Sequence, residues 1–160
     1  MRSIGLVALL ANWLTMLFGV FVSGKGSTVN PPTIVLLHRT WASVAAIATL
    51  LHVGAAIADP RISPLAAVVP FASSMLRGPI TFGTVALLLG SALFWSQKLP
   101  RLWWRAVHAS AFGGFLLSLF HAVFAGTDTP TLRFAYAAAL AVLLGAVIQR
   151  VLLARNGAYA

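Results

Sequence analysis

Five long apolar stretches limit what this chain can fold into. Each covers about 20 residues, the length that an α-helix needs to cross the hydrocarbon core of a bilayer. Hydrophobic residues make up 60% of the 160 residues and charged residues only 8%, against about 25% charged residues in a typical soluble domain. So few charges do not cover a water-exposed surface. The sequence therefore predicts an all-α, polytopic membrane helix bundle, with residues 1–160 forming a single transmembrane domain.

The predicted helices are separated by short polar or proline-containing segments. They cover about residues 4–22, 33–58, 78–95, 102–125 and 131–153. Pro64 and Pro70 argue against a further span between the second and third helices. An alternative for the first stretch is a cleaved signal peptide, but its apolar run exceeds the roughly 7–15 residues of a signal peptide's hydrophobic region. We therefore expect five spans, with the first one retained.

The charge of the chain is strongly basic, with 11 Lys and Arg against 2 Asp and Glu, a formal net charge of +9. These basic residues flank the apolar stretches, so we expect them to meet lipid headgroups and not nucleic acid. Five spans place seven basic residues on the C-terminal side and four on the N-terminal side. Because cytoplasmic loops carry an excess of Lys and Arg, we expect a bacterial inner (plasma) membrane protein with a cytoplasmic C-terminus and an external N-terminus.

The chain contains no cysteine. This excludes disulfides, thioether-linked haem, iron–sulfur clusters ligated by cysteine and thiolate zinc sites within the chain. A bound metal must therefore take His, Met or oxygen ligands, and a haem must be held without covalent bonds.

The four histidines form two pairs in the predicted helices. His38 and His52 are 14 residues apart in the second helix, and His108 and His121 are 13 apart in the fourth. These two helices run parallel, so His38 matches His108 in depth and His52 matches His121, with about 20 Å between the two levels at 1.5 Å per residue. Ionisable side chains inside a membrane are rare and usually functional. We therefore expect two non-covalent haem b groups, with His38/His108 and His52/His121 as the pairs of iron ligands.

The helical phase of the second pair disagrees with a straight helix. At about 100° per residue, His38 and His52 are 40° from a common direction, whereas His108 and His121 are about 140° apart. A helix distortion between His108 and His121, at Gly113-Gly114, would reconcile the two spacings, and so would haems set at different azimuths.

Two arginines lie beside the predicted ligands. Arg39 follows His38, and Arg105 precedes His108 by about one helical turn. Both are candidates to pair with haem propionates, although Arg39 has the alternative of extending to the membrane interface. On the opposite side, the sequence does not distinguish among Arg61, Arg77 and Arg133 as partners of the outer group.

The residues around the histidines also carry a family resemblance. Leu37-His38-Arg39 with His52, Gly83, Trp95-Ser96, and Trp104-Arg105-Ala106-Val107-His108 with His121 resemble the ferric reductase-like transmembrane domain over about residues 30–155. The resemblance implies two b haems, these four histidines as ligands, and an electron path from the cytoplasm outward.

That family commonly continues into a cytoplasmic flavin and nicotinamide domain, and this chain contains no comparable nucleotide-binding loop. We therefore expect a membrane oxidoreductase component that depends on a separate electron donor: a reductase, a flavin or a quinol, with the flavin or quinone supplied by a partner. Its acceptor is expected on the extracytoplasmic side.

Two other functions agree with a membrane protein that contains histidine. One is a metal-ion transporter that uses histidine ligands, although no Asp or Glu lies inside a predicted helix. The other is a non-redox membrane assembly subunit. The presence or absence of haem distinguishes both of them from an electron-transfer protein.

Overall fold

The computed structural model describes residues 2–22, 30–74 and 76–155, and within these ranges all regular structure is helical. Six α-helices follow one another in the chain: α1 (Arg2–Val22), α2 (Pro31–Ile57), α3 (Arg77–Ser96), α4 (Arg101–Ala109), α5 (Ala111–Ala125) and α6 (Thr129–Arg155). Helices α4 and α5 together form one span, so the described residues contain five helical segments long and apolar enough to cross a membrane. The predicted all-α bundle of about five spans is confirmed.

The helix limits fall within two residues of the predicted ones. Proline sets two of the starts, because it fits the first turn of a helix, where its missing N–H removes no hydrogen bond. Pro31 and Pro32 begin α2, and Pro100 precedes α4. The polar stretch expected to end the first helix, residues 23–27 with Lys25, lies outside the described residues.

The bundle is built from two antiparallel helix pairs. α1 packs along α2, and α3 packs along α5, while α6 contacts α1 and α5. Buried apolar side chains from α1, α5 and α6 form the common core, namely Met16, Val20, Phe115, Leu119 and Leu143. The indole of Trp13 donates a hydrogen bond of 2.8 Å to the carbonyl of Ala139, which fixes α6 against α1.

The outer surface of the bundle is apolar. Leu102 and Phe134 are 77% and 73% exposed, and large apolar side chains are exposed on every helix that forms a span. Several hydroxyl groups on the helices donate to a carbonyl of their own helix, as Ser91 does to the carbonyl of Leu87 at 3.0 Å. This pattern suits a lipid solvent, in which polar groups must be satisfied internally.

The fourth span is interrupted at Ser110, where α4 ends and α5 begins. The Ser110 hydroxyl and its backbone N–H both donate to the carbonyl of Val107, at 2.6 and 3.0 Å. A serine hydroxyl that competes for a helix carbonyl in this way bends a helix. The expected distortion between His108 and His121 is therefore present, but its predicted position was wrong, because Gly113-Gly114 lies inside α5.

The connection between α2 and α3 folds back onto the end of α3. It contains one short 3-10 turn, Pro64–Ala67, and no further span among its described residues. The Thr84 hydroxyl donates to the carbonyl of Ala66 at 2.7 Å, and the backbone N–H of Phe71 donates to the Thr81 hydroxyl at 3.0 Å. These bonds hold the segment over the His52/His121 end of the bundle.

Candidate cofactor site

The four histidine rings form two equivalent pairs between α2 and the fourth span. The ring centroids of His38 and His108 are 6.2 Å apart, with 69° between the ring planes. Those of His52 and His121 are also 6.2 Å apart, at 70°. The structure thus brings together the pairs expected from parallel helices, and not the crossed pair of His38 with His121.

The distance within each pair matches a shared metal ion better than a direct contact. Two imidazole nitrogens on opposite sides of a metal, each at about 2.0–2.1 Å, place the ring centroids about 6 Å apart. A hydrogen bond between the rings, with about 3 Å between the nitrogens, would bring the centroids to about 5 Å. At 6.2 Å, each pair has the separation of two axial ligands.

Backbone carbonyls orient two of the rings. Nδ1 of His38 lies 2.9 Å from the carbonyl oxygen of Thr15 in α1, and Nδ1 of His121 lies 2.8 Å from that of Pro79 in α3. A carbonyl oxygen only accepts, so Nδ1 carries the proton in both rings and Nε2 keeps its lone pair. Metal-bound histidines usually have this arrangement, in which the second nitrogen fixes the tautomer and the ring direction.

Glycines on the neighbouring helices make room for three of the rings. A Cβ atom at Gly83 would lie 2.8 Å from Nδ1 of His121, one at Gly5 3.0 Å from Cε1 of His52, and one at Gly19 3.2 Å from Cε1 of His38. The contact at Gly83 is shorter than real Cβ atoms make, so a neighbour would have to move, and those at Gly5 and Gly19 are tighter than most real Cβ contacts. The rings of His38, His52 and His121 therefore lie directly against backbone.

The role of α1 in this site was missed by the sequence reasoning, although the sequence contains a signal for it. Gly5 and Gly19 are 14 residues apart, the same spacing as His38 and His52. In an antiparallel helix pair, equal spacings let the two glycines face the two histidines at matching levels. On α3, Gly83 faces His121, and the buried Ser96 follows 13 residues later, the same spacing as between His108 and His121.

His108 has an aromatic neighbour in its own helix. The Trp104 ring stacks on the His108 ring with the centroids 4.8 Å apart and 20° between the planes. Residues four apart lie on the same face of a helix, so the indole limits the rotation of this imidazole. The contact adds Trp104 to the residues that surround the histidine pair.

A single large cavity connects both histidine pairs. Its volume is about 1880 Å³, and all four histidines line it, whereas a pocket for one drug-sized ligand is about 300–1,000 Å³. Its walls are mostly apolar side chains from α1, α2, α3 and α5. Arg39 and Arg105, the arginines expected to bind propionates, also line it, at the His38/His108 end.

These features fit two haem groups. Each level brings two imidazoles to a centroid distance of 6.2 Å inside a mostly apolar cavity, and Arg39 and Arg105 line this cavity near His38 and His108. The described residues contain no group of three or more His, Asp or Glu side chains that could hold a metal ion.

Comparison of the chain with protein-family models, with curated proteins and with solved structures finds no match.

Proposed function

We propose that this chain is a membrane electron-transfer protein that holds two haem b groups, one between His38 and His108 and one between His52 and His121. The observation that carries the proposal is the equal geometry of the two pairs, 6.2 Å at 69° and 6.2 Å at 70°, inside one cavity. Two unrelated pairs of core histidines have no physical reason to share both values.

The residues of the chain position the two groups. Thr15 and Pro79 hold the imidazoles of His38 and His121 with Nε2 available as a ligand. The glycines of α1 and α3 admit the rings, and Trp104 restrains His108. A haem held by the two imidazoles of each pair would supply one-electron transfer and would leave no iron position open to oxygen.

The two histidine pairs lie at two depths in the membrane, so an electron would cross it in two steps. His38 and His52 lie about 20 Å apart along α2 at 1.5 Å per residue, within a hydrocarbon core about 30 Å thick. We propose that electrons pass from the His38/His108 level to the His52/His121 level, from the cytoplasm outward, as the resemblance to ferric reductase-like membrane domains implies. The donor is a separate reductase, flavin or quinol, and the acceptor is extracytoplasmic.

A metal-ion transporter fits the site less well. Transport sites for divalent ions usually combine histidine with carboxylates, and the two acids of the chain, Asp59 and Asp128, lie outside the helices. The large apolar cavity also exceeds what a small ion requires.

The absorption spectrum of the purified protein tests the proposal. We expect a Soret band and a reduced α band typical of b-type haem, and their loss in the double variant His38→Ala/His52→Ala. The matched control is Leu36→Ala/Leu51→Ala, which changes two side chains of the same helix that are 63% and 59% exposed and should keep the bands. A folded but colourless wild-type protein would exclude the proposal.

A further inference from the structure

The connection between α2 and α3 lies alongside α3, at the depth of the membrane core. Helix α3 has 20 residues, or about 30 Å at 1.5 Å per residue, which equals the thickness of the hydrocarbon core. Its first residue, Arg77, therefore lies near one edge of that core. Thr84 comes seven residues later, about 10 Å deeper, and its hydroxyl donates to the carbonyl of Ala66 in the connection at 2.7 Å.

One side of the connection forms a wall of the cavity at the level of His121. Gly83, which directly precedes Thr84, meets the ring of His121. The 3-10 turn of the connection contacts both α2 and α3, and Ala66 within it is 1% exposed. Six side chains of the connection line the cavity: Ile62, Ser63, Ala67, Ser73, Ser74 and Leu76.

The exposed surface of the connection is apolar. Its exposed large apolar side chains are Leu65, Val68, Val69, Phe71 and Leu76. Leu65 is 57% exposed and Phe71 is 63% exposed. The sequence has no charged residue between Arg61 and Arg77. Exposed apolar groups of this kind mark contact with a membrane or with another protein.

Phe71 is held in an unusual backbone conformation with its ring exposed. Its φ is 64°, a region that bulky residues rarely adopt. Its backbone N–H donates to the hydroxyl of Thr81 at 3.0 Å, and its carbonyl accepts a hydrogen bond from Nε of Arg77 at 3.2 Å. Helix α3 thus fixes both sides of this residue. An aromatic ring fixed on the surface is unfavourable in water and suits an apolar surrounding.

The backbone of the connection finds many of its hydrogen-bond partners inside the protein. Five of its N–H groups donate to acceptors of the chain at 2.8–3.3 Å, namely those of Ala66, Val68, Val69, Phe71 and Ala72. Pro64 and Pro70 have no N–H to satisfy. Non-helical backbone occurs at membrane depth only where it is buried in protein or lines a water-filled cavity, so this segment meets the requirement for a position beside lipid.

We propose that residues 62–76 form a re-entrant segment that lies in the lipid leaflet on the His52/His121 side, with Leu65, Val68 and Phe71 against acyl chains. Lipid covers this surface because the segment is level with a helix only long enough to cross the hydrocarbon core, and because the exposed apolar surface of the spans continues beside it. The segment then separates the cavity from the bilayer at this level. The inference goes beyond the proposed function and does not depend on haem.

Single-cysteine variants test this position, since the chain has no cysteine of its own. Full-length protein with Leu65→Cys or Phe71→Cys is reconstituted in vesicles of phosphatidylcholine alone and treated with N-ethylmaleimide, which crosses membranes. The controls are Leu88→Cys, exposed on α3 and outside the cavity, and Thr131→Cys, exposed in the first turn of α6. We expect Leu65→Cys and Phe71→Cys to react as slowly as Leu88→Cys and at least about tenfold more slowly than Thr131→Cys, because the reactive thiolate forms poorly in apolar surroundings. After denaturation all four thiols should react alike.

Reaction of Leu65→Cys and Phe71→Cys as fast as that of Thr131→Cys would overturn the proposal, because it would place the segment in water. Fast reaction in the lipid vesicles with slow reaction in cell membranes would also overturn it, and would indicate that a partner protein covers the segment. If the unusual backbone of Phe71 does not tolerate cysteine, as judged by circular dichroism, Val68→Cys provides the second position. A colourless protein would contradict the proposed function and leave this test unaffected.

Discussion

Gly83 and His121 lie so close that a Cβ atom on the glycine would come within 2.8 Å of Nδ1 of the imidazole. The same imidazole nitrogen lies 2.8 Å from the carbonyl of Pro79, four residues before the glycine in α3. His38 repeats the arrangement with Gly19 and the carbonyl of Thr15 in α1. One turn of a neighbouring helix thus provides both the space for the ring and the acceptor that orients it.

Gly83→Ala should displace the ring of His121 and remove one of the two haems. The added methyl group meets a ring held by a hydrogen bond, so the ring must move out of its ligand position. The control is Gly145→Ala in the interior of α6, a position that does not line the cavity and where no heavy atom lies within 4 Å of the added Cβ. Since alanine favours a helix over glycine by about 0.5–1 kcal/mol, the control should keep both haems and be slightly more stable to heat. Full haem content in Gly83→Ala would show that the close contact does not constrain the site.

The pairing of the histidines predicts which single variants share the same spectrum and midpoint potential. His38→Ala and His108→Ala should leave the same residual spectrum and midpoint potential, because each removes one ligand of the same iron. His52→Ala and His121→Ala should form a second, different pair. Redox titrations of the four variants provide the measurement, and a match between His38→Ala and His121→Ala would contradict the observed pairing.

Much of this arrangement follows from the sequence, since hydropathy sets the five spans and the parallel direction of α2 and the fourth span sets the levels of the histidines. The position of the helix break, by contrast, could not be predicted from the sequence. The two adjacent glycines suggested a break at Gly113-Gly114, but a Cβ at Gly113 would meet nothing within 4 Å. The break lies at Ser110, whose hydroxyl donates a hydrogen bond to the carbonyl of Val107. A serine in a helix either bonds to its own helix or reaches a neighbour, and only the packing decides which.

The contribution of α1 to the site could not be read from single helices either. Every face of a membrane helix is apolar, so hydrophobic periodicity does not show which face of α1 meets the histidines. The equal spacings of Gly5 with Gly19 and of His38 with His52 become informative only once α1 and α2 are known to be antiparallel neighbours.

The angle between the ring planes predicts the paramagnetic signature of the oxidised protein. Imidazole planes at 69° and 70° are close to perpendicular, which makes the two in-plane directions of a low-spin ferric iron nearly equivalent. We expect strongly anisotropic low-spin signals from both centres in frozen-solution electron paramagnetic resonance. A well-resolved rhombic spectrum, typical of coplanar imidazoles, would contradict the ring geometry.

The ion pair between Asp59 and Arg61 predicts an unusual titration outside the spans. Hydrogen bonds from the Arg61 side chain and backbone lower the pKa of Asp59 from 3.8 to about 2. Because the folded pKa is depressed, the ion pair favours the folded state above about pH 4, and this contribution is lost as the pH falls toward 2. The chain has no glutamate and only two aspartates, so carboxyl-labelled aspartate gives two NMR resonances. One should titrate near pH 2 in wild-type protein and move upward in Arg61→Gln, and identical titrations in both proteins would exclude the interaction.

The pyridine haemochrome assay on purified full-length protein tests the central claim most directly, since it identifies the haem type and counts haems per chain. The two equivalent histidine pairs predict haem b at two per chain, extractable with acidified acetone because the chain has no cysteine to link it. A folded, helical protein that contains no haem would contradict the presence of two haem sites. So would a protein with one haem whose content is unchanged by substitution of either histidine pair.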